Sequence, residues 1–266
     1  MSDTVKHTIK GLKISLRKNV KNLVNNALRV LNLKVVKLNN HLPKFPIESS
    51  EEDIRLMEDC IRYSMTNPIR MWALLTAVRH VEKNQIAGDF VECGVWKGGC
   101  LAMMKKGQAG TSKRKVFGFD TFSGMTDPSI HDVDIFLGRQ VTLDDIDEVE
   151  KKCSYPGKSE VEKNLADLDC SDDVRLIEGD VALTLKNTKN VPSKISLLRL
   201  DTDFYESTKI ELEVLFPLLS DGGILIIDDY GHYEGARKAV DEYFRGTNYL
   251  FHYIDYTCRL VVKSAV

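Results

Sequence analysis

Five short apolar runs, each ending at an acidic residue, constrain the fold of this 266-residue chain more than any other feature. The acids that close the runs are Glu92, Asp120, Asp180, Asp201 and Asp228. Runs without polar alternation indicate strands that are buried on both faces, as in a parallel sheet covered by helices. Helical patterns separate the runs, and repeated strand–helix alternation favours a doubly wound α/β fold.

Shorter signals predict the two ends of this fold. Ser50 stands before three acids and is a typical helix N-cap, and Pro68 suits the first turn of a second helix. Two helices therefore precede the first strand. Residues 249–254 and 259–262 are close enough in sequence to form an antiparallel hairpin. We expect a mostly parallel sheet with an antiparallel edge strand and N-terminal helices.

The chain is predicted to divide into residues 1–46 and residues 47–266. The first part is rich in Lys and Arg, and its apolar residues recur at roughly helical spacing. Such a basic helix can lie on an anionic membrane or bind a partner, or it can pack on its own domain or on a second copy in a homo-oligomer. Within the second part, residues 125–159 have no clear period and are predicted to form a lid over a substrate.

Composition excludes several classes of protein. A net charge of −2 gives no general attraction to nucleic acid. No apolar run approaches the roughly 20 residues of a membrane span, and the first 20 residues lack the apolar core of a signal peptide. Six cysteines without a Cys-x-x-Cys pair indicate free thiols in a reducing compartment, so we expect a cytoplasmic protein.

The turn after the first apolar run is rich in glycine, with Gly94, Gly98 and Gly99 following Glu92. In open α/β sheets ligands bind at such loops, and glycines let the backbone approach them closely. A carboxylate at Glu92 would repel a pyrophosphate but attract an amine-bearing or cationic ligand. The loop lacks the Gly-Lys-Ser/Thr of a phosphate-binding loop and the glycine spacing of nicotinamide-dependent oxidoreductases.

Two further acids are candidates for binding a nucleoside. Asp120 ends the second run, where a carboxylate can accept hydrogen bonds from both ribose hydroxyls; it could instead cap the segment that follows. Asp180 ends the third run, where it could accept from the exocyclic amine of a base or cap the next helix.

The ends of the fourth and fifth runs predict a metal site. Asp201 ends one run and Asp228 and Asp229 end the next, so these carboxylates converge if the two strands are neighbours. Three anions in a small volume need a cation or shifted pKa values. Oxygen ligands alone indicate Mg²⁺, which can bind a substrate hydroxyl and ready it for attack. Asp201, Asp203 and His232 are candidate proton acceptors.

Four motifs resemble the macrocin O-methyltransferase (TylF) family, which methylates sugar hydroxyls of natural products. They occur in the family's order and comprise residues 91–99, 119–125, 198–208 and 227–232, and the segment Ser64-Met65-Thr66 is similar to the family's pocket lining. The resemblance covers about residues 50–262, which leaves the first 45 residues outside it.

The resemblance implies a class I methyltransferase fold with S-adenosylmethionine as methyl donor and Mg²⁺ as cofactor. It implies that the loop from Glu92 to Gly99 holds the methionine part of the donor, that Asp120 holds the ribose and that Gly179 and Asp180 contact the adenine. The implied donor-binding residues are Met65, Glu92, Gly94, Val95, Trp96, Gly99, Asp120, Thr121, Ser123, Gly179 and Asp180. The implied metal ligands are Asp201, Asp228 and Asp229, with Asp201 also the base.

Two alternatives to a sugar O-methyltransferase remain at this point. One is a non-catalytic scaffold of the same fold that acts through its basic arm. The other is a methyltransferase whose acceptor is a different small polyol or a catechol. The sequence itself does not identify the acceptor, because the lid segment matches the family least well.

Overall fold

The computed structural model describes residues 44–108, 114–153 and 155–264, with 149–153 described by backbone alone. These residues belong to one compact unit that begins at Lys44. The predicted basic arm at residues 1–46 lies almost wholly outside the described residues. None of the described helices has both the length and the hydropathy needed to cross a membrane.

After two initial helices, at least one helix separates each strand of the main sheet from the next, except between the last two strands. The α-helices are α1 (Glu51–Ile61), α2 (Pro68–Lys83), α3 (Gly99–Lys106), α4 (Leu143–Cys153), α5 (Lys158–Asp167), α6 (Val181–Thr184), α7 (Tyr205–Leu215) and α8 (Glu234–Tyr243). The strands are β1 (Asp89–Cys93), β2 (Val116–Asp120), β3 (Val133–Asp134), β4 (Arg139–Gln140), β5 (Val174–Glu178), β6 (Ile195–Leu200), β7 (Leu219–Ile227), β8 (His252–Tyr253) and β9 (Arg259–Val262). Short 3₁₀ turns cover Thr188–Asn190 and Phe216–Leu218.

The main sheet has the strand order β5-β2-β1-β6-β7-β9-β8. Its first five strands are parallel, and β9 runs antiparallel to both of its neighbours. This confirms the predicted doubly wound sheet with an antiparallel edge. The strand order reverses between β1 and β6, and in such sheets this crevice is where ligands bind.

Two apolar layers cover the two faces of the sheet, because successive side chains of a strand point to opposite sides. Phe90 and Leu197 belong to the layer packed on α1–α3, which includes Met57 and Leu74. The next residue along each strand, Val91 or Leu198, belongs to the opposite layer with α7 and α8. The mostly apolar character of the central strands therefore follows from burial on both faces. The described cysteines outside α4 are free and buried, as expected.

The predicted lid contains structure that its sequence did not reveal. The hairpin of β3 and β4 and the helix α4 lie within residues 125–159, and strands of two residues are too short to show a period. Buried Asp132 anchors the hairpin, since Oδ1 accepts from the Tyr205 amide at the start of α7 at 2.8 Å. A Cβ at Gly235 in α8 would overlap that same oxygen. The root of this segment is thus fixed to two core helices.

Asp53 secures the start of α1. Ser50 and Asp53 form a reciprocal capping box, with bonds of 3.1 Å and 3.0 Å between each side chain and the other's amide. The Arg79 guanidinium of α2 donates to the second oxygen of Asp53. This bond lowers the pKa of Asp53 to about 2. The carboxylate therefore stabilises the fold only while it is ionised.

We expect Asp53→Asn to lower the free energy of unfolding by about 2 kcal/mol at pH 7, because it removes one charged hydrogen bond and weakens the cap. The folded pKa lies below the unfolded one, so the stabilisation is complete above about pH 5 and is lost as the pH falls toward 2. Urea titrations at pH 7, 5 and 3 should show that the difference in free energy of unfolding between the wild type and Asp53→Asn becomes smaller as the pH falls.

The matched control is Asp59→Asn, since Asp59 lies on the same helix in an exposed pair with Arg62 at 3.8 Å. It should change stability by less than about 0.5 kcal/mol at each pH. A loss for Asp53→Asn that does not depend on pH would contradict the assigned ion pair.

Candidate active site

A cavity of about 390 Å³ opens at the carboxyl ends of β1, β2, β6 and β7. It lies at the point where the strand order of the sheet reverses. Its walls come from the loops after these strands, from the segment before α2 and from the region after β2 that carries Met125 and Tyr155. The sheet topology thus brings the predicted donor loop and the predicted metal acids to one space.

The glycine loop between β1 and α3 depends on unusual backbone conformations. Gly94 and Gly98 have φ values of 84° and 89°, and Trp96 has a φ of 47°. A Cβ at Gly94 would overlap the carbonyl oxygen of Asp201. Glycine is therefore needed where this loop touches the loop after β6.

Asp120 holds the glycine loop in place. One oxygen of its carboxylate accepts from the amides of Val95 at 2.7 Å and Trp96 at 3.0 Å, and the other accepts from the Phe122 amide at 2.8 Å. The bond to Phe122 matches the capping role that the sequence left open, and the bonds to the loop were not foreseen. Asp120 also lines the cavity, so a contact with a ribose stays a prediction.

The predicted donor-binding residues separate into two groups. Those that line the cavity are Met65, Gly94, Trp96, Asp120, Thr121 and Gly179. Glu92, Val95, Gly99, Ser123 and Asp180 are not among the lining residues. Asp180 caps α6, since Oδ1 accepts from the Ala182 amide at 2.8 Å, and the Gly99 amide donates to the Tyr63 carbonyl at 2.8 Å.

Glu92 differs from its expected orientation. Its carboxylate is fully buried instead of facing the cavity, and Oε1 accepts from the Arg199 guanidinium at 2.7 Å. Oε2 has no hydrogen-bond partner among the residues that the structure describes. Burial raises the pKa of Glu92 to about 8, with Arg199 acting in the opposite direction. The attraction of Glu92 for positive charge is therefore directed to an internal guanidinium.

The predicted convergence of acids from β6 and β7 is present. Because Leu200 pairs with Ile227 in parallel register, the residues that follow are neighbours. One carboxylate oxygen from each of Asp201, Asp228 and Asp229 lies within 4.8 Å of the others. We call these three residues together with Asp203 the acidic cluster.

The acidic cluster carries more negative charge than its arginines balance. Arg199 binds Asp201 at 2.7 Å and also binds Asp228, which Arg70 contacts from the other side. Burial raises the pKa of Asp201 to about 6 and that of Asp203 to about 7, and nearby carboxylates add to the burial effect at Asp203. Burial raises the pKa of Asp229, and the carboxylates of Asp203, Asp201 and Asp228 act in the same direction. A bound cation would remove this repulsion.

Backbone geometry at the acidic cluster is also unusual. Asp203 has a φ of 67°, in the left-handed region that costs a non-glycine residue free energy and occurs often at functional sites. Oδ2 of Asp229 is buried and has no hydrogen-bond partner in the described part of the chain. The donor set is oxygen only and includes this orphaned atom, so the residues fit a hard divalent cation.

Sequence reasoning missed Arg199 and Arg70. Arg199 is 2% exposed at the penultimate position of a largely apolar strand, and a charge there must be paired. That position was the available signal, because an arginine inside an otherwise apolar run requires buried acids nearby. Arg70 offered less signal, since it lies on a helix of mixed composition and reaches Asp228 only through the tertiary fold.

The mouth of the cavity is aromatic. His232 and Tyr256 line it, and the Phe136 ring at the tip of the β3–β4 hairpin lies 5.2 Å and 5.4 Å from theirs, between centroids. His232 also faces Asp134 at 3.6 Å. The hairpin therefore packs against residues that line the site.

Comparison with known proteins identifies the family. The family model for macrocin-O-methyltransferase (TylF) matches residues 4–261. The chain belongs to this macrocin O-methyltransferase family. It is thus an O-methyltransferase, and the match corrects the expectation that the first 45 residues lie outside the family.

Curated relatives agree with this assignment. The chain is 34% identical over 186 residues to 8-demethyl-8-(2,3-dimethoxy-alpha-L-rhamnosyl)-tetracenomycin-C 4'-O-methyltransferase of Streptomyces olivaceus, covering 69% of this chain and 68% of the relative. It is 32% identical to demethyldecarbamoylnovobiocin O-methyltransferase of Streptomyces niveus, covering 68% and 67%.

Solved structures share the fold. The O-methyltransferase NovP superposes with a TM-score of 0.65 at 27% identity, over 76% of this chain and 83% of NovP. The calicheamicin methyltransferase CalS11 superposes with a TM-score of 0.57 at 20% identity, over 86% and 99%. At 20% identity, the likeness to CalS11 supports the shared fold alone.

We expect Arg199→Met to lower the free energy of unfolding of this methyltransferase by about 3–5 kcal/mol, because it leaves Glu92 and Asp228 buried without their shared cation. Adding Glu92→Gln should recover part of the loss, because a neutral amide is less costly to bury than a carboxyl that has lost its guanidinium partner. Urea denaturation measures both effects.

Arg55→Met is the matched control, since Arg55 makes an exposed pair with Glu51 at 3.8 Å. It should change stability by less than about 0.5 kcal/mol. A loss below about 1 kcal/mol for Arg199→Met would show that the buried acids do not depend on it.

Proposed function

We propose that this enzyme transfers the methyl group of S-adenosylmethionine to a sugar hydroxyl, with Mg²⁺ bound by Asp201, Asp228 and Asp229. The observation that carries the proposal is the convergence of these three carboxylates beside a glycine-rich loop in one cavity. A donor and a hydroxyl held in line would need little further chemical help, because positioning alone can supply a large part of the rate.

The relatives support a sugar acceptor. The tetracenomycin enzyme is named for methylation at a rhamnosyl 4' position, and a third relative, from Micromonospora griseorubida, is named mycinamicin III 3''-O-methyltransferase. That relative is 30% identical over 191 residues and covers 69% of this chain and 70% of its own length. We infer an acceptor of the same class, a sugar carried on a natural product. The buried free thiols suit a reducing compartment, which supports a cytoplasmic enzyme.

The donor half of the proposed site is the glycine loop with its supports. Gly94 and Trp96 would contact the methionine part, Asp120 and Thr121 the ribose, and Gly179 the adenine. All five line the cavity. Glu92 would act indirectly, because its carboxylate fixes Arg199 and Arg199 in turn fixes Asp201.

The metal half is the acidic cluster. Its unbalanced charge and the orphaned Oδ2 of Asp229 support a resident divalent cation. When bound, Mg²⁺ supplies Lewis acidity that lowers the pKa of a hydroxyl among its ligands. Arg70 and Arg199 hold Asp228 from both sides, which would keep the ligand geometry fixed between turnovers.

Asp201 is the proposed proton acceptor, with Asp203 and His232 as alternatives. All three line the cavity. Arg199 fixes Asp201 at 2.7 Å, so its carboxylate has a defined direction. The Asp134 carboxylate lies 3.6 Å from the His232 ring. A histidine held in this way suits a role in binding the acceptor.

We expect Asp229→Asn to lower kcat/KM by at least about 100-fold and to abolish the rise in Tm that Mg²⁺ causes in the wild type. EDTA should remove the wild-type activity, and Mg²⁺ should restore it. The control Asp221→Asn changes an exposed residue at the opposite end of the same strand and should leave both values unchanged. Full activity of the wild type in EDTA would rule out the metal.

We expect Asp203→Asn to reduce kcat by less than about tenfold while keeping the Mg²⁺-induced rise in Tm, because the proposed base is Asp201. Single-turnover methyl transfer with a glycosylated acceptor measures the first quantity, and scanning calorimetry the second. A loss of about 10² to 10⁴ with unchanged Mg²⁺ binding would transfer the role to Asp203.

A further inference from the structure

Glu211 on α7 is a fully buried carboxyl that the proposed chemistry does not use. The Thr202 hydroxyl donates to both of its oxygens, at 3.0 Å and 3.1 Å. The buried Cys93 thiol lies beside this carboxyl, and burial, together with the carboxyl, raises the pKa of the thiol. One side chain of a helix therefore binds the residue after β6 and lies next to the end of β1.

These two contacts lie on opposite sides of the crevice in the sheet. Cys93 is the last residue of β1 and directly precedes Gly94 of the glycine loop. Thr202 lies between Asp201 and Asp203 of the acidic cluster and lines the cavity. The two strands are adjacent, and the Asp201 amide donates to the Cys93 carbonyl at 2.9 Å. Glu211 thus adds a side-chain tie beyond the end of this backbone ladder.

The loop at Asp201–Asp203 needs such a tie. Its backbone is in a costly conformation at Asp203, and it passes so close to Gly94 that a Cβ there would overlap the Asp201 carbonyl. Small displacements of this loop would move the acids relative to the glycine loop. The Thr202 side chain and its partner Glu211 act against that displacement.

A carboxyl is a costly residue for this place if packing were its only role. Burial raises the pKa of Glu211 to about 8, which reflects the free energy lost when the charged form leaves water. Leucine would fill a helix position against the sheet without that cost. The acid is explained by its hydrogen bonds with the Thr202 hydroxyl.

We propose that Glu211 is a positioning residue that holds the acidic cluster at a fixed separation from the donor loop by binding Thr202 next to the end of β1. This inference rests on the proposed function, in which one loop holds the methyl donor and the other the metal. Glu211 touches neither the donor nor the acceptor and acts through Thr202.

The test compares Glu211→Gln, which keeps an oxygen acceptor for the Thr202 hydroxyl, with Glu211→Leu, which does not. Calorimetry measures the affinity for S-adenosylmethionine with and without Mg²⁺, and steady-state kinetics gives kcat and KM for a glycosylated acceptor. Glu211→Leu should lower kcat by roughly 10²-fold with a smaller change in KM, and should reduce the effect of Mg²⁺ on donor affinity. Glu211→Gln should stay within about tenfold of the wild type.

Ser196→Ala is the matched control. Ser196 is buried at the other end of β6, and its hydroxyl donates to the Gly88 carbonyl at 2.9 Å. Its loss should therefore lower stability without changing kcat or the effect of Mg²⁺ on donor affinity. If Glu211→Leu fails to fold, Thr202→Val removes the same bond from the other partner, and Thr202→Ser should restore it.

The outcomes separate the two proposals. A wild type that binds no S-adenosylmethionine would overturn the proposed function before any variant is compared. The positioning role alone would be overturned if the wild type binds S-adenosylmethionine but a variant behaves like it. That variant, Glu211→Leu or Thr202→Val, would match the wild type both in kcat and in the effect of Mg²⁺ on donor affinity.

Discussion

The arrangement of the site depends on one buried guanidinium. Arg199 projects from near the carboxyl end of β6 and binds acids from three strand ends, Glu92, Asp201 and Asp228. A single buried acid at any of these positions would be costly, whereas a shared cation lets all three sit where the sheet topology brings them. The Arg199 guanidinium does not neutralise the whole acidic cluster. The remaining negative charge is what makes the carboxyl edge of the sheet suitable for a divalent ion.

The two halves of the cavity are structurally continuous. Asp120 fixes the glycine loop by accepting from its amides, and that loop rests directly against the backbone of Asp201. Glu211 on α7 binds Thr202 in the loop after β6, beside the end of β1. The groups proposed to bind a donor and those proposed to bind a metal are thus held by overlapping sets of contacts. A reaction that depends on in-line placement benefits from such shared supports.

The sequence predicted the elements whose signal is local. Apolar runs gave the strands of the sheet, and the cap at Ser50 and the proline at 68 gave the two initial helices. Convergence of Asp201 with Asp228 and Asp229 followed from the rule that parallel strands end at one edge. The orientation of Glu92 did not, because it depends on Arg199, which is distant in sequence. The hairpin at Val133–Gln140 was also missed, since strands of two residues carry no period.

The anchoring of the β3–β4 hairpin through Asp132 has an evolutionary consequence. The bonds that fix the hairpin run from the Tyr205 amide to Asp132 at its root and from the Ile135 amide to the His232 carbonyl, while exposed Phe136 and Leu137 occupy its tip. Residues at the tip can therefore be exchanged without disturbing the core that supports catalysis. Descendants of this enzyme could acquire new acceptors through mutations at a few exposed positions, with little loss of stability to limit them.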